Sequence, residues 1–431
     1  MSQYVDFHAI PDDVLYRVFK QFLSTRELVL SCTTVSKRWR ALTFPSIFST
    51  LWLTVKTEGD PKLEINRYID DLVHDPFFPS IQYIVSSLRL TWGRSPIGLD
   101  FVEFIPYFPS LRNLTFSGTV CMRLPAHYTH AQGTIDLDTL FIEGICGTTE
   151  EGDRVYHDAS ALCNLLSVFG TIGTLKLRNF SSRNLAFDKR LPFDWHHWTS
   201  PRPQSLVLEN HQEESGFFEA APFMRYVQDL DIVAIETDHN WLLPGIAAAC
   251  GQLHKLSIAL HHPRRDDPVY NLASFPSLRI LVLCVTARRA PYRSMNSNEY
   301  MPYGDITAAA ATIRTLAAGS ASLDYIHIRF RCAPAGPCDA KSRLATRHKT
   351  LANFPGVFRH RKGVVHFRDL EDALLELIDA GRVGHVRVSL YALDYWDFIA
   401  DIALAVLPAS DCAQIVFPRL FERKVLYFKD I

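Results

Sequence analysis

Leu111-Arg112-Asn113-Leu114-Thr115-Phe116 is followed 26 residues later by Leu137-Asp138-Thr139-Leu140-Phe141-Ile142. The shared pattern, apolar-x-x-apolar-x-apolar, alternates at its end and so predicts a short strand with Leu114 and Phe116 on one face and Thr115 on the other. It recurs as Val85-Ser86-Ser87-Leu88-Arg89-Leu90, Ile172-Gly173-Thr174-Leu175-Lys176-Leu177, Pro203-Gln204-Ser205-Leu206-Val207-Leu208 and Val227-Gln228-Asp229-Leu230-Asp231-Ile232. Leu253-His254-Lys255-Leu256-Ser257-Ile258, Leu278-Arg279-Ile280-Leu281-Val282-Leu283 and Leu323-Asp324-Tyr325-Ile326-His327-Ile328 continue it, with a weaker last copy at His385-Val386-Arg387-Val388-Ser389-Leu390.

The central apolar residues Leu88, Leu114, Leu140, Leu175, Leu206, Leu230, Leu256, Leu281 and Ile326 are 26, 26, 35, 31, 24, 26, 25 and 45 residues apart. Five of these eight spacings fall between 24 and 26, the period at which a unit of one parallel strand and a returning helix or loop repeats. Helical returns precede several copies, at 101–105, 161–166, 241–250 and 306–318. Over 51–390 the chain resembles irregular leucine-rich repeats, without the Asn or Cys that often follows the strand in regular repeats. The class is α/β, and ordinary α/β units in a doubly wound sheet are the alternative. With Leu88 and Leu90 inside, Ser87, Arg89 and Thr91 face out. The same arithmetic puts Thr174, Lys176 and Arg178 in a basic patch, Asp229 and Asp231 in an acidic one, and Tyr325, His327 and Arg329 in a third, with Ile280, Val282 and Cys284 as an apolar row. Lys176, Arg178, Asp229, Asp231, Tyr325, His327 and Arg329 are the candidate contacts to a protein substrate.

At the other end, Ile10-Pro11-Asp12-Asp13-Val14-Leu15 carries a proline suited to a first helical turn and two acids that complement the positive end of a helix dipole. Val14, Leu15, Val18, Phe19 and Phe22 then share one helical face, Ser24 and Thr25 are N-cap candidates, and Leu28, Cys32, Val35 and Trp39 continue at helical offsets with a break near Thr33-Thr34. Three short helices are predicted over 5–48, with Pro45-Ser46-Ile47-Phe48 leading the chain out of them and the strand Leu51-Trp52-Leu53-Thr54-Val55 opening an array over 49–431. Taken alone, these residues make a helical cap with a Leu, Phe and Trp core. Their order, closing on Val35-Ser36-x-x-Trp39, resembles the F-box family. That resemblance implies a three-helix module docking on a Skp-type adaptor, and through it on a cullin, with Ile10, Pro11, Leu15, Phe19, Leu28, Val35 and Trp39 facing the adaptor. It further implies a non-catalytic substrate receptor of a ubiquitin ligase. A repeat scaffold that assembles proteins without ubiquitin transfer is the alternative.

The remaining composition argues against other classes. Lys and Arg number 45 against 46 Asp and Glu, so nothing draws the whole chain to nucleic acid or an anionic membrane. No secretory leader and no run of some 18 apolar residues is present, from which a cytoplasmic or nuclear protein is expected. Nine scattered cysteines lack metal-ligand spacing and read as reduced thiols, with Cys163 and Cys250 the candidates for a nucleophile and inert burial the preferred reading. His196-His197 and His261-His262 lack a carboxylate at ligand spacing, and there is no phosphate loop or nucleophile elbow, so neither metal nor cofactor is expected. Two long loops are predicted, 288–305 and the locally basic 333–349. An amphipathic helix over 369–380 buries Leu370, Ala373, Leu374, Leu377 and Ile378, helical pattern continues through 396–407, and Ile415-Val416-Phe417 with Val425-Leu426-Tyr427-Phe428 caps the array.

Overall fold

A computed structural model describes residues 11–12, 14–15, 31, 35–55, 67, 70–71, 74, 81–92, 96–97, 105–123, 135–148, 154–155, 162, 165–179, 201–209, 218, 221–233, 242–260, 269–287, 303–332, 361–392 and 417–428. The chain forms two compact units, Met1–Gly173 and Thr174–Ile431. Ile10, Phe19, Leu28, the histidine pairs, Cys163, the 333–349 loop and the 396–407 segment lie outside the described residues.

In the first unit, helix α1 (Lys37–Phe48) starts where the Ser36 hydroxyl accepts the Trp39 N–H at 3.1 Å. Pro45 lies within this helix, so the expectation that it leads the chain out is corrected: the helix runs to Phe48 and Ser49 closes it. Proline costs this helix the one bond its N–H would have made to the Ala41 carbonyl, and the helix continues for three residues beyond it. Strands β1 (Thr50–Val55), β2 (Ser87–Trp92), β3 (Pro96–Ile97), β4 (Asn113–Arg123), β5 (Ile135–Thr148) and the two-residue β6 (Arg154–Val155) follow. β1, β2, β4 and β5 pair in that order and in parallel, β3 adds to β4, and β6 adds antiparallel to β5.

Strand β7 (Phe169–Arg178) spans the division between the units. The second unit continues with β8 (Ser205–Glu209), β9 (Asp229–Val233), α2 (Leu242–Ala249), β10 (Lys255–Leu260), β11 (Ile280–Ala287), α3 (Tyr303–Thr315), β12 (Leu323–Cys332), α4 (Arg361–Asp379), β13 (Val383–Ala392), α5 (Pro418–Glu422) and β14 (Leu426–Phe428). Its strands pair in sequence order and always in parallel. A doubly wound sheet reverses its strand order at a switch point. Neither unit reverses, which excludes that alternative.

The register follows the sequence pattern. Leu51, Leu88, Leu114 and Leu140 align across the first unit. Leu175, Leu206, Leu230, Leu256, Leu281, Ile326, Val386 and Leu426 align across the second. The residues two positions on, such as Leu90, Phe116, Leu208, Ile258 and Leu283, form a second buried row. A shared backbone device fixes this register. At several junctions the carbonyl two residues before the central leucine accepts two successive N–H groups of the next strand: Ser49 from Ser86 and Ser87, Ser86 from Arg112 and Asn113, Gln228 from His254 and Lys255, His254 from Arg279 and Ile280.

Helices stand at two of the expected returns, α2 within 241–250 and α3 over much of 306–318, while 101–104, 161, 163 and 164 lie outside the described residues. The 288–305 loop is corrected at its end, where Tyr303, Gly304 and Asp305 already belong to α3. α3 buries Ile306, Ala309, Ala310 and Ile313 and packs on β10, β11 and α4. α4 ends in a Schellman turn, with Gly381 at φ 65° and the Gly381 and Arg382 N–H groups bonded to the Ile378 and Leu377 carbonyls. At the C-terminal end β14 pairs with β13 and α5 is held by a buried carboxylate, while Ile415 and Val416 lie outside the described residues. Glu371, 1% exposed on α4, accepts the Arg419 and Leu420 N–H groups at 2.7 and 3.0 Å and the Arg419 Nε at 3.0 Å, so it caps α5 from a neighbouring helix. Phe330, Phe367 and Phe417 pack beside it with centroids 5.8 to 6.5 Å apart.

Glu371→Ala removes the acceptor for two otherwise orphaned helix N–H groups and is expected to cost roughly 2–3 kcal/mol, with Glu371→Gln losing less. Urea unfolding checks the magnitude, and early proteolytic release of the segment after α4 in Glu371→Ala checks the location.

Candidate interaction surfaces

Residues alternating with the buried rows of the second unit form a grid on the opposite face. One row runs Thr174, Ser205, Asp229, Lys255, Ile280, Tyr325, His385; the next Lys176, Val207, Asp231, Ser257, Val282, His327, Arg387; the third Arg178, Glu209, Val233, with Ala259, Cys284, Arg329 and Ser389 continuing it from β10. All the sequence-predicted substrate contacts therefore share one face, but their surroundings differ.

Arg178 donates from Nε to Glu209 Oε2 at 2.7 Å, so the expected basic patch is neutralised at that position and Lys176 keeps its charge beside Val207. Asp229 lies 4.0 Å from the Lys255 ammonium. Asp231 Oδ1 and the Ser257 hydroxyl, register neighbours, are buried and without hydrogen-bond partners among the described residues. Val282 and Cys284 form the expected apolar row, yet they are buried rather than exposed and cluster with Ala259, with Ile280 at the margin. The β10–β11 part of this face is a second small core.

At β12 and β13 the face turns cationic and aromatic. The Tyr325 and His385 rings stack at 5.3 Å, and the Arg387 guanidinium lies 3.9 Å from the Tyr325 ring centroid. Arg387 Nε donates to His385 Nε2 at 3.1 Å. His327 is 8% exposed, so it supports the face from beneath: its Nδ1 accepts from Arg329 Nε at 3.5 Å and its Nε2 lies 2.8 Å from the Ser389 hydroxyl. An Nδ1 acceptor requires the tautomer with its proton on Nε2, which donates to Ser389. Gly384 permits the strand pairing, since a Cβ there would sit 2.8 Å from the Asp324 carbonyl oxygen. Sequence reasoning reached Tyr325, His327 and Arg329 but not His385 and Arg387. The signal was available in the weaker copy at 385–390, whose alternate residues fall on the same face.

In the first unit, Leu15 is 4% exposed and belongs to a core, whereas Val14 and Val35 are 43% and 61% exposed. The expectation that Val14 and Leu15 share a buried face is thus corrected, because residues adjacent in a helix are about 100° apart and only one of them can point fully inward. Trp39 is half-buried on α1, Pro11 is exposed, and Arg38 ties the helix to Asp12 at 2.6 Å. On the sheet, Trp52 is 67% exposed with the Arg89 guanidinium 5.0 Å from its ring centroid, and Arg89 donates to the Ser117 hydroxyl at 2.7 Å.

The catalytic candidate Cys250 is buried, donates to the Met224 carbonyl at 3.1 Å, and burial pushes its pKa up to about 12. So little thiolate exists near neutrality that the inert reading holds for this residue. Among the described residues no cluster of three metal-ligating side chains occurs, and no helix is long and apolar enough to cross a membrane.

Two measurements test these environments. Iodoacetamide should leave Cys250 unlabelled in the native chain and label it fully in urea, read by peptide mass spectrometry. Burial, and then the Arg387 charge, hold the His385 pKa below its ordinary 6.5, with Asp324 opposing. The unfolded chain therefore binds the proton first as pH falls, and the stability His385 contributes is complete above about 6.5 and lost through the lower folded value. The stability advantage of wild type over His385→Gln should shrink between about pH 7.5 and about pH 5; a constant difference contradicts the assignment.

No curated protein sequence matches the chain. Residues 7–54, which include α1 and most of β1, match the F-box-like family model, so the chain carries an F-box-like domain at its N-terminal end.

Proposed function

We propose that the protein is a substrate-receptor subunit of a Skp-cullin-F-box ubiquitin ligase. The match of residues 7–54 to the F-box-like family carries this reading, since such domains typically bind Skp-type adaptors. The sequence pattern at Ile10, Pro11, Leu15, Phe19, Leu28, Val35 and Trp39 adds to it. Val35 offers an exposed apolar contact, and Leu15 positions the helix from within the module.

The rest of the chain acts as an irregular leucine-rich-repeat array that holds a protein target. Support comes from the 24- to 26-residue spacing, the strictly sequential parallel pairing and the repeated two-donor carbonyl. Its contribution to ubiquitin transfer is proximity, with the covalent chemistry left to other subunits. No step in this reading requires a cofactor or a catalytic side chain of this chain.

Co-expression with a Skp-type adaptor followed by size-exclusion chromatography tests the proposal. The intact chain should co-elute with the adaptor, and Val35→Asp should weaken the complex by roughly tenfold or more while leaving the thermal midpoint unchanged. If the folded intact chain elutes alone, the ligase reading fails and the non-ligase scaffold takes its place.

A further inference from the structure

On the polar face of β12 and β13 the Arg387 guanidinium has a set orientation and no carboxylate partner among the described residues. Arg387 is stacked on Tyr325 at 3.9 Å and donates from Nε to His385 Nε2 at 3.1 Å. Those two contacts set the plane of the guanidinium and leave its two terminal nitrogens without an acceptor or a carboxylate partner among the described residues. The Tyr325 hydroxyl likewise has no hydrogen-bond partner there. Elsewhere on the same face Arg178 pairs with Glu209 and Lys255 with Asp229, while Lys176 and Asp231 make no ion pair among the described residues. Asp324 is close enough to favour the charged form of His385, but it makes no ion pair with Arg387.

An imidazole acceptor orients an arginine without neutralising it, and a ring beneath the guanidinium limits its motion. Less rotamer entropy then remains to be lost when an anion binds the planar terminal fork. A carboxylate matches that fork in shape and in charge, with two parallel N–H donors meeting two oxygens. Arg329 lies in the adjoining row of the same face, beside the His327 that pairs in register with Arg387.

We propose that the β12–β13 face is a docking site for an acidic peptide segment of a protein target, with Arg387 receiving an Asp or Glu carboxylate, Tyr325 as its platform and His385 as its positioning residue. This deepens the receptor reading and rests on it for the biological role, but the binding itself is independent of the adaptor.

The test uses the full chain and a fluorescein-labelled peptide with a central run of five glutamates between Gly-Ser flanks, followed by fluorescence anisotropy. Wild type should bind, with affinity falling as salt rises. Arg387→Gln should weaken binding roughly tenfold or more, and Arg387→Lys, which keeps charge but loses the fork, should fall between the two. Arg225→Gln serves as control, since Arg225 also stacks on a tyrosine, Tyr226, at 4.9 Å, away from β12 and β13, and should bind as wild type does. Equal binding by wild type and Arg387→Gln overturns the site, as does equal weakening by Arg225→Gln. A peptide with one phosphoserine and no glutamate that binds tenfold tighter than the glutamate peptide overturns the carboxylate assignment. Val35→Asp separates this proposal from the receptor reading: peptide binding retained while the adaptor is lost means that the two surfaces act independently. Adaptor co-elution with no peptide binding sinks the docking site alone.

Discussion

The register of the parallel strands is the constraint on which the other features depend. Side chains on a strand alternate strictly, so a slip of one residue would turn Leu256, Leu281 and Ile326 outward and bring Ser257, Val282 and His327 into the core. Val282 would tolerate the exchange and His327 would not. Where the opposite face is open to solvent, as beside Arg89 and Lys176, apolar burial penalises such a slip by roughly 1.5–3 kcal/mol for each leucine moved into water. Over β10 and β11, where that face is itself buried, the penalty falls on the polar side chains brought into the apolar core. The carbonyls of Ser49, Ser86, Gln228 and His254, each accepting two successive N–H groups of the following strand, add a geometric stop at the point where that strand begins. Hydrophobic burial thus selects the face, and the paired donors select the residue at which pairing starts.

That division explains what was legible in the chain. The three-row apolar pattern is local and survives the variable spacing between copies, because only the strand segment has to match. The length of the return is free: about 24 residues separate Leu206 from Leu230, and 60 separate Ile326 from Val386, yet both pairs meet in register. A long insertion adds loop-closure entropy only slowly, so it weakens the spacing signal without disturbing the sheet. The α4 helix was legible for the same local reason, through Leu370, Ala373, Leu374 and Leu377 on one side. Its buried Glu371 was not, since the groups it satisfies are the N–H atoms of Arg419 and Leu420 nearly fifty residues away.

The opposite face of the sheet was less readable because burial there is set by neighbours in space. Val282 and Cys284 stood out as an apolar row, but their sequence carries no sign that Ala259 packs beside them. Arg178 is cationic in any sequence reading, and only the pairing of β7 with β8 puts Glu209 against it. In the N-terminal module the helical period grouped Val14 with Leu15, and the finer rotation of the helix, which buries one and exposes the other, depends on what packs against it. Pro45 illustrates a weaker rule overridden: proline disfavours helix interiors, yet the helix runs on to Phe48 despite the lost bond to Ala41.

The polar face shows two ways to hold a cation on a sheet, and they have different consequences. A carboxylate partner such as Glu209 fixes Arg178 and cancels its field, so the pair presents little charge to anything approaching. A neutral imidazole fixes Arg387 through a single acceptor nitrogen and leaves its field intact. Burial and the adjacent guanidinium both work to keep His385 in that neutral form, so the arginine itself helps to maintain the acceptor that orients it. The arrangement is self-consistent only while the imidazole stays unprotonated. Above that titration, β12 and β13 present a held positive charge, whereas Arg178 on the same face is spent on Glu209.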